Sequence, residues 1–171
     1  MEIIIGFIVE DRPGIIQKLS NVVSDSGGNW LESSMTSLGG YFSGTVLVEL
    51  DDDDAGLRDA LASLDEFTIT LHPPLKGTED GSGHLMQINV LGPDRPGVLK
   101  EVANELAARQ INILEMETQV RPAPMTGEPL FEADACIEVP DATDMDQLTQ
   151  QLNLIGDALG VDVLLEDIAQ D

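Results

Sequence analysis

The tetrapeptide Asp-Arg-Pro-Gly occurs twice, at Asp11 to Gly14 and at Asp94 to Gly97, and an asparagine follows each glycine by fifteen residues, at Asn29 and Asn112. One offset of 83 residues separates both motifs and both asparagines. A helix N-terminus with carboxylates beside it could take a small ligand that bears both a carboxylate and an ammonium. Its carboxylate needs backbone N–H groups and the positive end of a helix dipole, which a helix N-terminus supplies. Gly14 and Gly97 let a ligand approach without a β-carbon in the way, and Ile15 and Val98 after them would offer N–H groups. The ammonium needs oxygen acceptors, and Asp11 and Asp94 carry carboxylates at the turn. Arg12 and Arg95 are candidate ligand-binding residues, and Asn29 and Asn112 each bring a donor and an acceptor. If the first two strands are neighbours, the asparagine stands beside the turn.

Each residue also has a purely structural reading. Asp11 and Asp94 would cap a helix. Pro13-Gly14 and Pro96-Gly97 would only shape the turn. Arg12 and Arg95 would be exposed charges or ion pairs with Glu10 or Asp94. Asn29 and Asn112 would end a helix in the left-handed conformation.

The elements that must position these residues follow from periodicity. Ile3, Ile5, Phe7 and Val9 alternate as a strand. Pro13 suits the first helical position, and Ile15, Ile16, Leu19, Val22 and Val23 recur at helical spacing. Gly27-Gly28 ends that helix. A second strand runs from Trp30 to Leu38, with Leu31, Ser33, Met35 and Ser37 on one face. Gly39-Gly40 marks a hairpin, and Phe42 to Leu50 alternates as the third strand. Leu57, Leu61 and Leu64 lie on one face of a second helix, and Phe67 to Leu71 is a fourth strand.

The order β-α-β-β-α-β recurs after residue 84. A repeat of this length in constant register means two copies of one domain: residues 1–73, a polar, glycine-rich linker at 74–83, and residues 84–171. The fold class is α+β, with two ferredoxin-like units in tandem, each a four-stranded antiparallel sheet with two helices on one face. By alternation Trp30, Tyr41 and Leu47, with Ile113, fall on the other face, so sheet faces or edges are expected to pair units or chains. The stretch Arg121 to Pro129, with three prolines, predicts a long loop that cannot pair as sheet.

Composition narrows the function classes. Eight Lys and Arg against 32 Asp and Glu give a net charge of −24, which opposes binding to nucleic acid and to anionic membranes. One cysteine, Cys136, excludes an intramolecular disulfide and a cysteine-rich zinc site. Asp51 to Asp54 lacks the glycine and terminal glutamate of a calcium loop and reads as acid before a helix. His72 and His84 have no ligand pattern around them. No nucleophile elbow, phosphate loop or dinucleotide fingerprint appears, so neither an enzyme, a cofactor nor a metal site is expected. With no signal segment or membrane span, a cytoplasmic location is the expectation.

The strand, Asp-Arg-Pro-Gly turn, helix and Gly28-Asn29 or Ile111-Asn112 series resembles the ACT domain, a small regulatory module that binds amino acids, and both copies together cover nearly the whole chain. A pair of such domains without a catalytic domain resembles the glycine cleavage system transcriptional repressor family. That resemblance implies a non-enzymatic, amino-acid-sensing regulator that acts through a protein partner such as a transcription factor rather than on DNA. Glycine and serine are the candidate ligands, at Asp11, Arg12, Pro13, Gly14, Ile15 and Asn29, at Asp94, Arg95, Pro96, Gly97, Val98 and Asn112, or across an interface. A homodimer is expected. The alternatives are a ligand-free interaction module and a detached regulatory subunit of an amino-acid metabolic enzyme.

Overall fold

The computed structural model describes residues 1–51, 53–75 and 83–168. The chain divides into two compact units, Met1–Gly77 and Thr78–Asp171. Most of the segment expected as linker, residues 76–82, lies outside the described residues, as does Asp52 of the tetra-aspartate run.

The first unit runs β1 (Glu2–Glu10), α1 (Ile15–Asp25), β2 (Gly28–Leu38), β3 (Tyr41–Leu50), α2 (Ala55–Ala62) and β4 (Thr68–His72). The second runs β5 (Gly83–Pro93), α3 (Val98–Ala108), β6 (Asn112–Pro122), β7 (Pro129–Pro140), α4 (Met145–Leu159) and β8 (Asp162–Asp167). Each folds into a four-stranded antiparallel sheet, ordered β2-β3-β1-β4 and β6-β7-β5-β8. Both units are therefore the expected ferredoxin-like βαββαβ arrangement.

Local sequence explains the joints. Gly39 and Gly40 both take positive φ, 61° and 83°, so a two-residue turn with the twist of its flanking strands joins β2 to β3. Leu38 pairs with Tyr41 across it. Gly27, at φ 74°, follows α1, where a residue without a β-carbon turns the chain at no steric cost.

The core of each unit lies between its helices and the inner sheet face. Ile3, Ile5, Leu19, Val46 and Val48 are buried in the first, and Ile88, Leu106, Ile137 and Leu148 in the second. Burying one such aliphatic side chain contributes about 1.5–3 kcal/mol, so these side chains supply the main favourable term in each unit. A small apolar cavity of ≈ 10 Å³ lies among Val90, Val98, Ile113, Phe131 and Ala135. Strand register equates Val90, Ile113 and Ala135 with Phe7, Trp30 and Val46 of the first unit, so three smaller side chains leave the space.

Three expectations are corrected. Trp30 and Ile113 do not lie on the outer face, because β2 and β6 each carry a bulge, between Trp30 and Glu32 and between Ile113 and Glu115. The extra residue, Leu31 or Leu114, shifts the alternation by one. Trp30 and Ile113 therefore pack against the cores, while Leu31 leaves the face of Ser33, Met35 and Ser37. Pro13 is not the first helical residue: Gly14 is the N-cap and Ile15 begins α1. The loop of the second unit is shorter than expected, since Arg121 pairs with Leu130 and Pro122 with Pro129. The two prolines face each other at the last paired rung, and beyond it the Ala123 N–H donates to the Glu128 carbonyl at 2.8 Å.

Candidate functional site

Gly14 and Gly97 are the N-caps of α1 and α3, at φ 93° and 99°, and no side chain caps either helix. This conformation costs an L-residue about 1–2 kcal/mol, which accounts for glycine at both places. A β-carbon built on Gly97 would meet nothing within 4 Å, and one on Gly14 only Gln17 Oε1 at 4.0 Å. A β-carbon would thus meet no close neighbour at either turn, and the N–H groups of the first helical turn have no side-chain acceptor from the cap position. The capping expected of Asp11 and Asp94 is thus corrected: a glycine holds the cap in each unit.

The two turns differ in what surrounds them. The Asp11 carboxylate accepts a hydrogen bond from the Ser37 hydroxyl, and its backbone N–H donates to the Gly40 carbonyl at 2.9 Å. Arg12 Nη2 donates to Glu66 Oε1 at 3.1 Å, and Lys18 donates to the same oxygen. The Lys18 hydrogen bond, with the nearby charges of Lys18 and Arg12, holds Glu66 below the usual carboxylate range. The first turn is therefore occupied by its own fold.

In the second unit Asp94 donates its N–H to the Pro129 carbonyl at 3.0 Å. Arg95 occupies the place of Arg12, and the register of the last strands puts Gly160 where the first unit has Glu66. The Arg95 guanidinium lies over that glycine, with Nη1 3.6 Å from where its β-carbon would stand. Gly160 ends α4, so the guanidinium sits at the negative end of a helix dipole. Among the described residues Arg95 makes no ion pair, and the Asp94 carboxylate makes no side-chain hydrogen bond. The expected pairing of Arg12 with Glu10 and of Arg95 with Asp94 is replaced by these contacts.

Asn29 and Asn112 stand elsewhere. β1 and β2 are not neighbours; β3 lies between them. Asn29 pairs with Glu49, whose other neighbour is Glu2, whereas the turn follows Glu10. Eight residues of strand separate the two ends, about 26 Å at roughly 3.3 Å per residue. Asn112 likewise pairs with Glu138, opposite Leu85, while Asp94 follows Pro93. Neither asparagine ends a helix in the left-handed conformation; Gly27 and Gln110, at φ 74° and 58°, do so. Each unit thus groups Asp, Arg, Pro, Gly and the first helical residue, and places its asparagine at the opposite end of the sheet.

Sequence reasoning missed Glu66, Lys18, Ser37 and Gly160. Their partners lie 26 to 54 residues away for Ser37 and Glu66, and only sheet topology brings them together. Elsewhere, Asp53 accepts from the Ala55 N–H and Asp54 pairs with Arg58 at the start of α2. His84 Nδ1 lies 3.2 Å from Asp141 Oδ1, both exposed, a partner the sequence did not suggest. Among the described residues no cluster of three metal-binding side chains is present, no polar side chain is buried, and no helix is long and apolar enough to cross a membrane.

Residues 2–72 and residues 86–153 each match the ACT domain. The chain is a tandem of two ACT domains. It is similar to a crystal structure of an unknown protein from Galdieria sulphuraria, at 29% identity over 98% of both chains with a TM-score of 0.88. A candidate glycine cleavage system transcriptional repressor shares the fold at 18% identity and a TM-score of 0.70, over 99% of this chain and 98% of that one. No curated protein matches the chain. The tandem ACT architecture relates the chain to regulatory modules rather than to any one reaction.

Proposed function

We propose that this tandem ACT protein is a non-catalytic regulator that senses a small amino acid, glycine or serine, at the turn of its second domain. The observation that carries this reading is the uncapped start of α3, with Arg95 two residues before its N-cap and, among the described residues, without an ion pair. A ligand carboxylate there would meet a guanidinium and the N–H groups of Val98 and Leu99 together, and the Asp94 carboxylate would take the ammonium.

The signal would pass to a protein partner, a transcription factor being the candidate suggested by the repressor that shares this fold. The charge of −24 supports a protein rather than DNA as the target. Coupling requires the ligand to prefer one of two states of the protein.

A second reading applies to the first domain alone. Asp11 and Arg12 are already engaged by Ser37 and Glu66, which favours a ligand-free interaction module there.

Calorimetric titration of the full chain with glycine and with serine tests both readings. Binding is expected in the wild type and in Arg12→Ala, and a loss of about tenfold to a hundredfold in Arg95→Ala, the range for a hydrogen bond to a charged group. Equal loss in both variants would place ligands at both turns. No binding by the wild type to either amino acid would overturn the sensor and leave the interaction module.

A further inference from the structure

Met86, Ile88 and Val90 of β5 are buried in the second core, so Leu85, Gln87, Asn89 and Leu91 point to the outer face of that sheet. None of these four is ionisable. Acids border them on both sides. Glu115, Glu117 and Asp134 stand on β6 and β7, and Asp162 and Glu166 on β8, with Leu164 between the last two. Leu85, Leu91 and Leu164 are 45%, 39% and 53% exposed. An uncharged, leucine-bearing strand thus runs between two acidic margins. The fold does not require this. Strand register equates Glu117, Asp134, Asp162 and Glu166 with Ser34, Thr45, Thr68 and His72 of the first domain, so four of the five carboxylates are peculiar to the second.

We propose that this face binds a basic amphipathic helix of a protein partner, laid along β5 with its apolar side on Leu85, Leu91 and Leu164 and with Lys or Arg on both flanks. The inference rests on the regulatory reading for there being a protein partner, and it adds the surface and the chemistry that the partner must carry. It requires no amino acid. The carboxylates stand there at a cost, since Glu117 lies directly opposite Asp134 and like charges so placed destabilise a sheet. Among the described residues none of the five forms an ion pair, and Arg121 on the same face is already taken by Glu132. Cations from outside would relieve that repulsion.

Charge and shape together select the occupant. A second copy of this chain, with eight Lys and Arg against 32 acids, would be repelled here, as would nucleic acid and anionic lipid. A small polycation would satisfy the carboxylates and leave the leucines in water. A helix with an apolar stripe between basic flanks matches both features, the stripe to the leucines and each flank to one margin. From Leu85 to Leu91 the strand advances about 20 Å at roughly 3.3 Å per residue. A helix of about thirteen residues covers that distance at about 1.5 Å per residue. The contact is small and its margins are wet, so binding is weak and falls with salt.

Titration of the full chain, followed by amide NMR without added amino acid, tests this. The probe is a helical peptide of about fourteen residues built from Leu and Lys, with a Ser and Lys peptide of equal charge as its comparison. The Leu/Lys peptide is expected to shift amides of β5 to β8 and to bind at least about tenfold tighter than the Ser/Lys peptide, because only it buries the leucines. Leu91→Ser with Leu164→Ser should abolish that difference. Glu117→Gln with Asp134→Asn should weaken the Leu/Lys peptide by about tenfold, the upper range for two exposed ion pairs. Glu115→Gln with Glu166→Gln should act in the same direction and serves if the first pair of changes disturbs the amide spectrum of the free protein. Asp59→Asn with Asp157→Asn removes the same charge from α2 and α4 and should leave the affinity unchanged. Equal binding of the two peptides would reduce the face to a polycation attractor and overturn the proposal. Equal loss in the sheet and helix variants, or no binding of the Leu/Lys peptide, would overturn it as well. Calorimetry with glycine and serine decides the sensing reading separately, so failure of either leaves the other standing.

Discussion

The guanidinium of Arg95 lies over Gly160, at the place where the first domain holds Glu66 against Arg12. One position thus decides whether the arginine of the repeated motif is neutralised within its own domain. Gly160→Glu should convert the second turn into a likeness of the first. Gly160 has φ 67°, so any side chain there costs about 1–2 kcal/mol of backbone strain. Space is not the obstacle, since the added β-carbon meets Arg95 only at ordinary contact distance. If the second turn binds glycine or serine, this variant should lose binding while staying folded. Gly160→Ala carries the same strain without the carboxylate and should keep binding. Calorimetry on the pair separates charge from strain.

Gly14 and Gly97 present the converse case, in which conformation alone dictates the residue. Nothing crowds either position, so the cost of substitution comes from φ rather than from contact. Gly97→Ala should lower stability by about 1–2 kcal/mol, and Gly97→Asn by less, because asparagine enters the left-handed region more readily. Denaturant midpoints at constant slope measure this order. Equal losses for Ala and Asn would show that something other than backbone conformation sets the cost.

Much of this architecture was legible in the sequence. The 83-residue offset, the alternation of Ile3, Ile5, Phe7 and Val9, and the helical stripe from Ile15 to Val23 place nearly every element. The bulges at Leu31 and Leu114 were not legible. One inserted residue leaves the hydrophobic pattern plausible in either register, so Trp30 and Ile113 read as outer when they are core. The position of Asn29 could have been read and was not. A strand, a returning helix and a parallel strand begin at the same end of a sheet. A residue at the start of β2 therefore cannot stand beside the turn that follows β1. The Arg12 and Glu66 pair depends on contacts 54 residues apart, which no local pattern reports.

The second core should accept a larger side chain where the first already has one. Ala135 borders the cavity, and its counterpart Val46 is fully buried. Ala135→Val should raise stability by about 0.5–2 kcal/mol, the usual return from filling a cavity. Val46→Ala should instead destabilise the first domain, because it removes packed atoms and opens a new space. Opposite signs in the two domains, read by thermal unfolding, are the expected result. Loss of stability in both would mean that the second core has closed around its smaller residues too tightly to take another methyl group.

Salt and acid should act on this protein mainly through its excess of carboxylates. Glu117 stands directly opposite Asp134 across β6 and β7, and like charges so placed destabilise a sheet. Ion pairs pull the other way: Arg121 donates to Glu132, and that hydrogen bond holds Glu132 below the usual carboxylate range. Its folded-state value is lower than its unfolded value, so its contribution is complete above about pH 4.3. That contribution is lost as pH falls further, through the lowered value. These pairs are exposed and therefore weak, whereas 32 acids face only eight Lys and Arg. Screening shortens from about 10 Å at 0.1 M salt to about 3 Å at 1 M, so it relieves more repulsion than attraction. The melting temperature near pH 7 should rise with sodium chloride. Glu117→Gln should raise it at low salt and lose most of that advantage at high salt. Glu132→Gln should lower it slightly near pH 7 and flatten the response below about pH 4.3. A melting temperature that falls with salt would show that the ion pairs outweigh the repulsion.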